Sequence, residues 1–390
     1  MHRSAGAIIR PMAESQLPAR RADVIVIGAG IAGASVAAEL ARRRQVLLLD
    51  MEEHAGYHTT GRSAAVFAEG YGNRIVRALT RSSRTFLTTP PSGFAEHPLL
   101  VPRGWMFVAR NDQLALLGQL EREIGGSLRA IDPAEATARV PILRRDHVAG
   151  AAWDETAMDV DVHALHHGFL RLLRTAGGEL VTSARARGLE RAGGVWCVDT
   201  EQGTFAAPLV VNAAGAWADE VGRLAGATSI GLVPMRRTVV LLDPPAGVEI
   251  ARWPLVIDAE ERFYFKPESG KLLASPADET PSPPCDAHPD DLDVAIAVDR
   301  ITRACDLEVH HIPRKWAGLR SFVADRSPVV GFDPLAEGFF WLAGQGGYGI
   351  QTAPALARLA AALVLGEPVP ADVAAEGVSP PDVSPARLAG

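Results

Sequence analysis

Three glycines at fixed spacing, Gly28-x-Gly30-x-x-Gly33, followed by Asp50, are the first residues in this chain whose types and order could do chemistry. That chemistry is the holding of a dinucleotide. Gly28 permits a tight turn, Gly30 lets backbone approach a pyrophosphate, and Gly33 allows a helix to pack closely on a strand. The helix that follows then turns its N-terminus toward the anion. A carboxylate at the position of Asp50 accepts hydrogen bonds from a ribose diol. These residues do not separate NAD from FAD.

The elements needed to position them are present. Residues 23–28, DVIVIG, form an apolar β-branched run of the kind buried on both faces of a parallel sheet. Residues 34–43 are good helix formers with apolar positions at helical spacing, and 45–49 is a second strand ending on Asp50. Strand, helix, second strand and acid make a complete βαβ unit. Three more segments are rich in small residues: GYHTTGRSAA at 56–65, VNAAGAW at 211–217 and GQGGYGI at 344–350. Their separation along the chain points to an extended ligand crossing a whole domain.

Together with DVDVHALHHGFLR at 159–171, LVVNAAGAWAD at 209–219, FYFKP at 263–267 and WAGLRSFVAD at 316–325, these segments resemble the FAD-dependent D-amino-acid oxidase superfamily. Within it the resemblance is closest to the D-arginine dehydrogenases, and it runs from about residue 22 to 388. It implies an α/β fold with a Rossmann-type FAD-binding domain and a substrate domain that is mainly antiparallel sheet plus helices. The expected boundaries are 21–95, 151–226 and 314–366 for the discontinuous FAD-binding domain, 96–150 and 227–313 for the substrate domain, and 1–20 and 367–390 for extensions. Cofactor contacts are expected from Gly28, Gly30, Ile31, Ala32, Gly33, Asp50, Thr59, Thr60, Ser63, Ala64, Ala65, Leu189, Ala214, Gly215, Trp217, Gly346, Gly347, Gly349, Ile350, Gln351 and Thr352. The glycine run at 344–349 precedes an Ala- and Leu-rich helix at 350–365, whose N-terminal partial charge would stabilise an anionic reduced flavin. No cysteine lies near the matching segments, so FAD is expected to be held without a covalent bond, although His54 and His58 lie close enough in sequence to keep histidyl attachment in view.

The resemblance implies oxidative deamination: hydride passes from Cα of a D-amino acid to flavin N5, and the imino acid hydrolyses to a 2-oxo acid and ammonia. Such a reaction needs a cation for the carboxylate and a neutral amine, and the protein supplies orientation. Arg320 matches the family's carboxylate-binding arginine, and a planar guanidinium suits a bidentate grip. Arg237 matches a second substrate arginine, Tyr264 a tyrosine supporting the carboxylate, and Tyr71 a lid residue; Gly318 and Gly347 would meet the amine. Arg236 and Arg237 are strand neighbours and must face opposite ways; the resemblance selects Arg237 for the site. The sequence departs from the arginine-preferring relatives at two places, where Trp105 replaces a glutamate and Val66 a histidine. Losing one partner of a buried ion pair costs about 3 to 5 kcal/mol, whereas a cation over an indole returns about 0.5 to 2. Apolar or aromatic D-amino acids are therefore expected over D-arginine, with Glu69 the one nearby candidate for a replacement carboxylate. Other readings are oxidation of sarcosine or another N-methyl amino acid, of a cyclic imino acid or of a 2-hydroxy acid, or service as the flavin-carrying subunit of a larger complex. The electron acceptor is expected to be oxygen or a quinone-type carrier.

Composition narrows the rest. The 390 residues carry a net charge of −7, without the basic surplus that nucleic-acid binding needs. Cys197, Cys285 and Cys305 are scattered and odd in number, which supports neither a disulfide framework nor a zinc knuckle and fits a reducing cytoplasmic setting. His163, His166 and His167 are assigned to a helix opened by Asp159 and Asp161, and His310 with His311 to a strand that points them apart, so no metal is expected. No apolar run reaches the ~20 residues of a membrane-spanning helix. The residues from 368 onward, rich in Pro, Ala and Val, read as a tail.

Overall fold

The computed structural model describes residues 20–388, so most of the expected 1–20 extension lies outside the described residues. The β-branched run condenses into the strand Val24–Ile27, with all four side chains buried. It is the third strand of a six-stranded sheet ordered Glu179–Val181, Val46–Leu49, Val24–Ile27, Leu209–Asn212, Phe339–Ala343, Val329–Phe332. All pairings are parallel except the last. Alternation along Val24–Ile27 sends Val24 and Val26 into one apolar cluster and Ile25 and Ile27 into another. Both faces are therefore covered, as a parallel sheet requires. The helix Ile31–Ala41 follows directly and packs against helices Val162–Thr175 and Gly349–Val364.

The second body is a nine-stranded mixed sheet built around the long strand Val233–Leu242. Its two faces again alternate. Met106, Val108 and Val240 lie in the cluster beneath the helix Asp291–Ala304, while Trp105, Phe107, Val239 and Tyr264 lie in the cluster facing the first domain. This parity decides the arginine doublet. Arg236 goes with Val240 and pairs with Asp293 of the covering helix at 2.7 Å, leaving Arg237 on the inner face with Val239.

Several expectations shift. The strand Arg314–Phe322, grouped above with the FAD segments, is paired along its whole length with Val233–Leu242 and belongs to the larger sheet, as does Gly150–Asp154. The sequence pattern could not show this, because the strand pairings join segments far apart in the chain. The expected extension from 367 is packed: the short helices Ala371–Ala375 and Pro380–Val383 bury Val373 and Val383 completely, and Arg74, Arg81 and Arg387 tie them down through Asp382, Glu376 and Asp325. Asp159 does not open a helix. It lies in the strand Met158–Val160, where Arg103 at 2.6 Å and Lys266 at 2.8 Å hold it, and Asp161 alone caps the helix. His310 and His311 lie outside any strand. Among the described residues no group of three or more His, Cys, Asp or Glu is placed to hold a metal, and no helix is long and apolar enough to cross a membrane.

Candidate active site

A cavity of about 430 Å³ runs between the two bodies, from Asp50 at one end to Arg237, Tyr264 and Arg320 at the other. It lies beyond the carboxyl ends of the parallel strands, where open α/β sheets bind ligands. Two of the three glycines, Gly28 and Gly33, are required sterically. Gly28 sits at φ +100°, and a Cβ there would collide with the Ala213 carbonyl oxygen. A Cβ on Gly33 would overlap the Gly28 oxygen outright, which no side chain could survive. Gly30 leaves the first turn of Ile31–Ala41 open, with Thr60 Oγ1 accepting from the Ile31 N–H at 2.9 Å. Asp50 accepts from the N–H groups of Ala29 at 2.5 Å and Glu52 at 2.9 Å. Burial pushes its carboxyl above the ordinary range, against the pull of those two N–H groups.

Most of the expected cofactor residues come together here. Ile31, Ala32, Thr59, Thr60, Ser63 and Ala64 line the cavity, as do Ala214, Gly215, Trp217, Gly346, Gly347, Gly349 and Ile350. Thr59 also donates to the Leu319 carbonyl at 2.8 Å, and Arg62 donates to the carbonyls of Ala287 and Ala317 at 2.9 and 3.1 Å, so the 56–65 loop is fastened to the substrate sheet. Ala65 and Gln351 border an adjoining chamber instead. Three expected contacts, Gly33, Leu189 and Thr352, do not border the cavity. Gly33 packs against the Gly28 carbonyl and Ala213. Leu189 is packed into the core with Trp196 and Val198, and Ala184, Ala186 and Arg187 border the cavity in its place. Thr352 is buried, and its hydroxyl donates to the Tyr348 carbonyl within its own helix at 2.8 Å. His58 is paired with Glu52 at 2.8 Å and packs on Trp217.

At the reacting end, Met235 pairs with Arg320 and Arg237 with Gly318 across antiparallel strands, which makes the two arginines diagonal neighbours on one face. The Arg320 guanidinium lies so close to Gly347 that a Cβ there would come within 2.9 Å of Cζ. Desolvation works against the Arg320 charge, but Tyr71, Tyr264 and Tyr348 around it hold its pKa above the ordinary guanidinium range. Burial likewise pushes the Tyr71 phenol up, so it remains a donor at neutral pH. Beside them is a chamber of about 80 Å³, bordered by Val66, Tyr71, Trp105, Leu255, Ile257 and Tyr264. Tyr71 meets Trp105 and Tyr348 edge-on at 5.4 and 5.0 Å. Among the described residues, no Asp or Glu borders this chamber. Glu69, the candidate replacement carboxylate, is held by Arg84 at 2.5 Å.

Sequence reasoning missed Glu279, which bridges Arg237 at 3.1 Å and Arg326 at 2.8 Å. It also missed the structural part of His166, a buried imidazole whose Nε2 lies 2.8 Å from the Ala29 carbonyl oxygen. Burial holds its pKa below the ordinary histidine value, so it is neutral at pH 7. Glu279 is 42 positions from Arg237 and His166 is 137 from Ala29, and no local pattern announces either pairing.

A parallel sheet with a glycine-lined crevice, opening onto a pocket walled by guanidinium groups and phenols, defines a dinucleotide-dependent oxidoreductase. Residues 23–363 match the family model described as FAD dependent oxidoreductase (DAO), and the chain belongs to that family. It is 25% identical over 363 residues to glycine oxidase of Geobacillus kaustophilus, covering 88% of this chain and 93% of that protein. It is 26% identical over 360 residues to the mitochondrial sarcosine dehydrogenase of Mus musculus, covering 86% of this chain but 38% of that longer protein. Its fold is shared with L-proline dehydrogenase from P. horikoshii, with a TM-score of 0.79, 23% identity, and coverage of 96% of this chain and 99% of that one.

The cofactor is FAD, and the residues fit it. Helices Ile31–Ala41 and Gly349–Val364 both open on the cavity, giving two N-terminal partial charges for anionic parts of the ligand. Gly215, at φ +56°, lines the same cavity, and a Cβ there would meet nothing within 4 Å, so the space beside it is open.

Proposed function

We propose that this protein oxidises the C–N bond of a small α-amino acid, with Arg320 gripping the substrate carboxylate. The observation that carries this reading is the half-buried Arg320 guanidinium seated against the Gly347 backbone and surrounded by three tyrosines, at the junction of the FAD cavity and the small chamber. A planar cation so fixed suits two parallel bonds to a carboxylate. Arg237, its diagonal neighbour, adds charge that Glu279 partly offsets. The protonated Tyr71 and the Tyr264 hydroxyl supply donors beside Arg320, and the aromatic wall excludes water. Gly318 and Gly347 keep backbone close to where the amine would lie. FAD, when bound, accepts the hydride from Cα, and the imino acid released hydrolyses to a 2-oxo acid and ammonia. Oxygen or a quinone-type carrier takes the electrons.

The substrate we favour is a D-amino acid with an apolar or aromatic side chain, and D-arginine is disfavoured. Support comes from the chamber itself, which presents Val66, Trp105, Leu255 and Ile257 and no carboxylate to a guanidinium. A second reading, oxidation of an N-methyl amino acid such as sarcosine, draws support from the chamber's small volume and from the likeness to sarcosine dehydrogenase. Anaerobic mixing of the holoenzyme with D-Leu, D-Phe, D-Met, D-Arg, sarcosine and L-Pro tests both, by bleaching of the oxidised flavin. Fastest bleaching by an apolar D-amino acid is expected. Fastest bleaching by D-Arg would overturn the side-chain preference, and by sarcosine would favour the second reading. Trp105→Glu is expected to raise kcat/KM for D-Arg relative to D-Leu if the indole is the pocket's floor.

A further inference from the structure

The phosphate-binding loop is usually accounted for by its glycines alone, yet here it is pinned from behind by a side chain outside the βαβ unit. His166 stands on the helix Val162–Thr175, which packs against Ile31–Ala41. Its Nε2 is 2.8 Å from the Ala29 carbonyl oxygen, and the residue is only 3% exposed. A carbonyl can only accept, so Nε2 carries the hydrogen and donates. The same ring fills the space over Gly56, where a Cβ would come within 2.9 Å of the imidazole Cε1. One imidazole thus touches both loops that border the FAD cavity at this end, since Gly28, Gly30 and Gly56 all line it.

The Ala29 carbonyl belongs to the peptide unit whose N–H is that of Gly30. In a planar trans peptide those two groups point in opposite directions. Donation from His166 to the carbonyl therefore fixes the Gly30 N–H on the side away from the imidazole, and the bond polarises that N–H further. The preceding peptide is fixed too, because the Ala29 N–H is held by Asp50 at 2.5 Å. The two peptides on either side of Ala29 are clamped by side chains from two different elements.

From this geometry we infer that His166 is a positioning residue for FAD: its Nε2–H holds the Ala29–Gly30 peptide in the orientation that presents the Gly30 N–H to the cofactor's pyrophosphate. This function is independent of which amine the enzyme oxidises. It also gives Gly56 a reason to be glycine, since a side chain there would displace the ring.

The test is FAD affinity of apoprotein, measured by quenching of flavin fluorescence on titration, with the melting temperature of the same apoprotein alongside. His166→Gln keeps an N–H donor four bonds from Cα, the same reach as Nε2, while His166→Leu keeps volume without the donor and leaves the carbonyl unpaired. His166→Leu is expected to raise the Kd for FAD about tenfold or more, and His166→Gln to stay within about threefold of wild type. Wild-type affinity in His166→Leu, or equal weakening in both variants, overturns the inference. If His166→Leu does not fold, His166→Asn takes its place: its donor is one bond shorter, so an Asn variant that binds FAD as tightly as the Gln variant overturns the inference equally.

Discussion

Gly347→Ala tests the substrate clamp without touching a charged group. Gly347 does not need a positive φ, so alanine fits its backbone, but the new Cβ would lie 2.9 Å from Cζ and Nη1 of Arg320 and 3.0 Å from Nε. Carbon contacts are comfortable from about 3.5 Å, so the guanidinium must retreat by roughly 0.5 Å. Arg320 borders both the FAD cavity and the small chamber, so the displaced guanidinium moves into that space and out of register with the substrate carboxylate. A charge-assisted bond of about 2.8 Å stretched by that much forfeits on the order of 1.4 kcal/mol, which is about tenfold in kcat/KM. The assay is steady-state kcat/KM with the best substrate of the anaerobic panel at saturating FAD, run beside the FAD Kd and melting temperature because Gly347 also borders the cofactor cavity. A double-mutant cycle with Arg320→Lys isolates the pathway: in the lysine background, whose head group is not planar, the alanine should cost much less. Full activity in Gly347→Ala, or a loss matched by loss of bound FAD, refutes the assignment of Arg320 as the clamp.

Arg320→Ala should lower kcat/KM by about 10² to 10³-fold, the cost of leaving a substrate carboxylate unpaired in a desolvated pocket, while the protein keeps its colour. The pKa values of His147, His166 and His167 are held below the ordinary value of 6.5, in each case chiefly by burial. Folding therefore expels protons: stability is fully present above about pH 6.5 and is lost as pH falls below it. Scanning calorimetry of apoprotein between about pH 7.5 and 5.5 should show a smaller drop in melting temperature for His166→Gln than for wild type, and an equal drop would refute the contribution of that ring. Val373→Ala, at a fully buried position, should cost about 2 kcal/mol in denaturant unfolding; a change below a few tenths would contradict the packed C-terminal helices.

The dinucleotide unit was legible because its constraints are local. Strand, turn, helix and acid lie within thirty residues, and Gly28 and Gly33 are demanded by contacts a Cβ would violate. The structure moved its boundaries by three residues or fewer, to Val24–Ile27, Ile31–Ala41 and Val46–Leu49. Strand parity was legible for the same reason: it set Arg236 and Arg237 on opposite faces, while the resemblance chose Arg237 for the site. What failed was of two kinds. The short helices at Ala371–Ala375 and Pro380–Val383 span too few turns for apolar periodicity to show, so a packed segment read as a tail. The partners of Glu279, Asp159 and His166 come from distant parts of the chain, and only folding brings them together. Leu189 shows the remaining limit: a strand can lead to a cavity edge, but which of its residues arrives there depends on a register shift near Ala186 and Gly188.

Arg62 ties the loop after the second strand to Ala287 and Ala317, and the indole of Trp316 donates back to the Arg62 carbonyl at 3.0 Å. A loop that borders the FAD cavity is thereby fastened to the substrate sheet, and loss of flavin is expected to loosen both. A preparation with incomplete yellow colour would hold two populations, and those lacking flavin would also have a slack substrate wall, cut sooner by protease near position 287. Catalytic constants for such material should be divided by bound flavin, because counting polypeptide would mistake a missing prosthetic group for a weak enzyme.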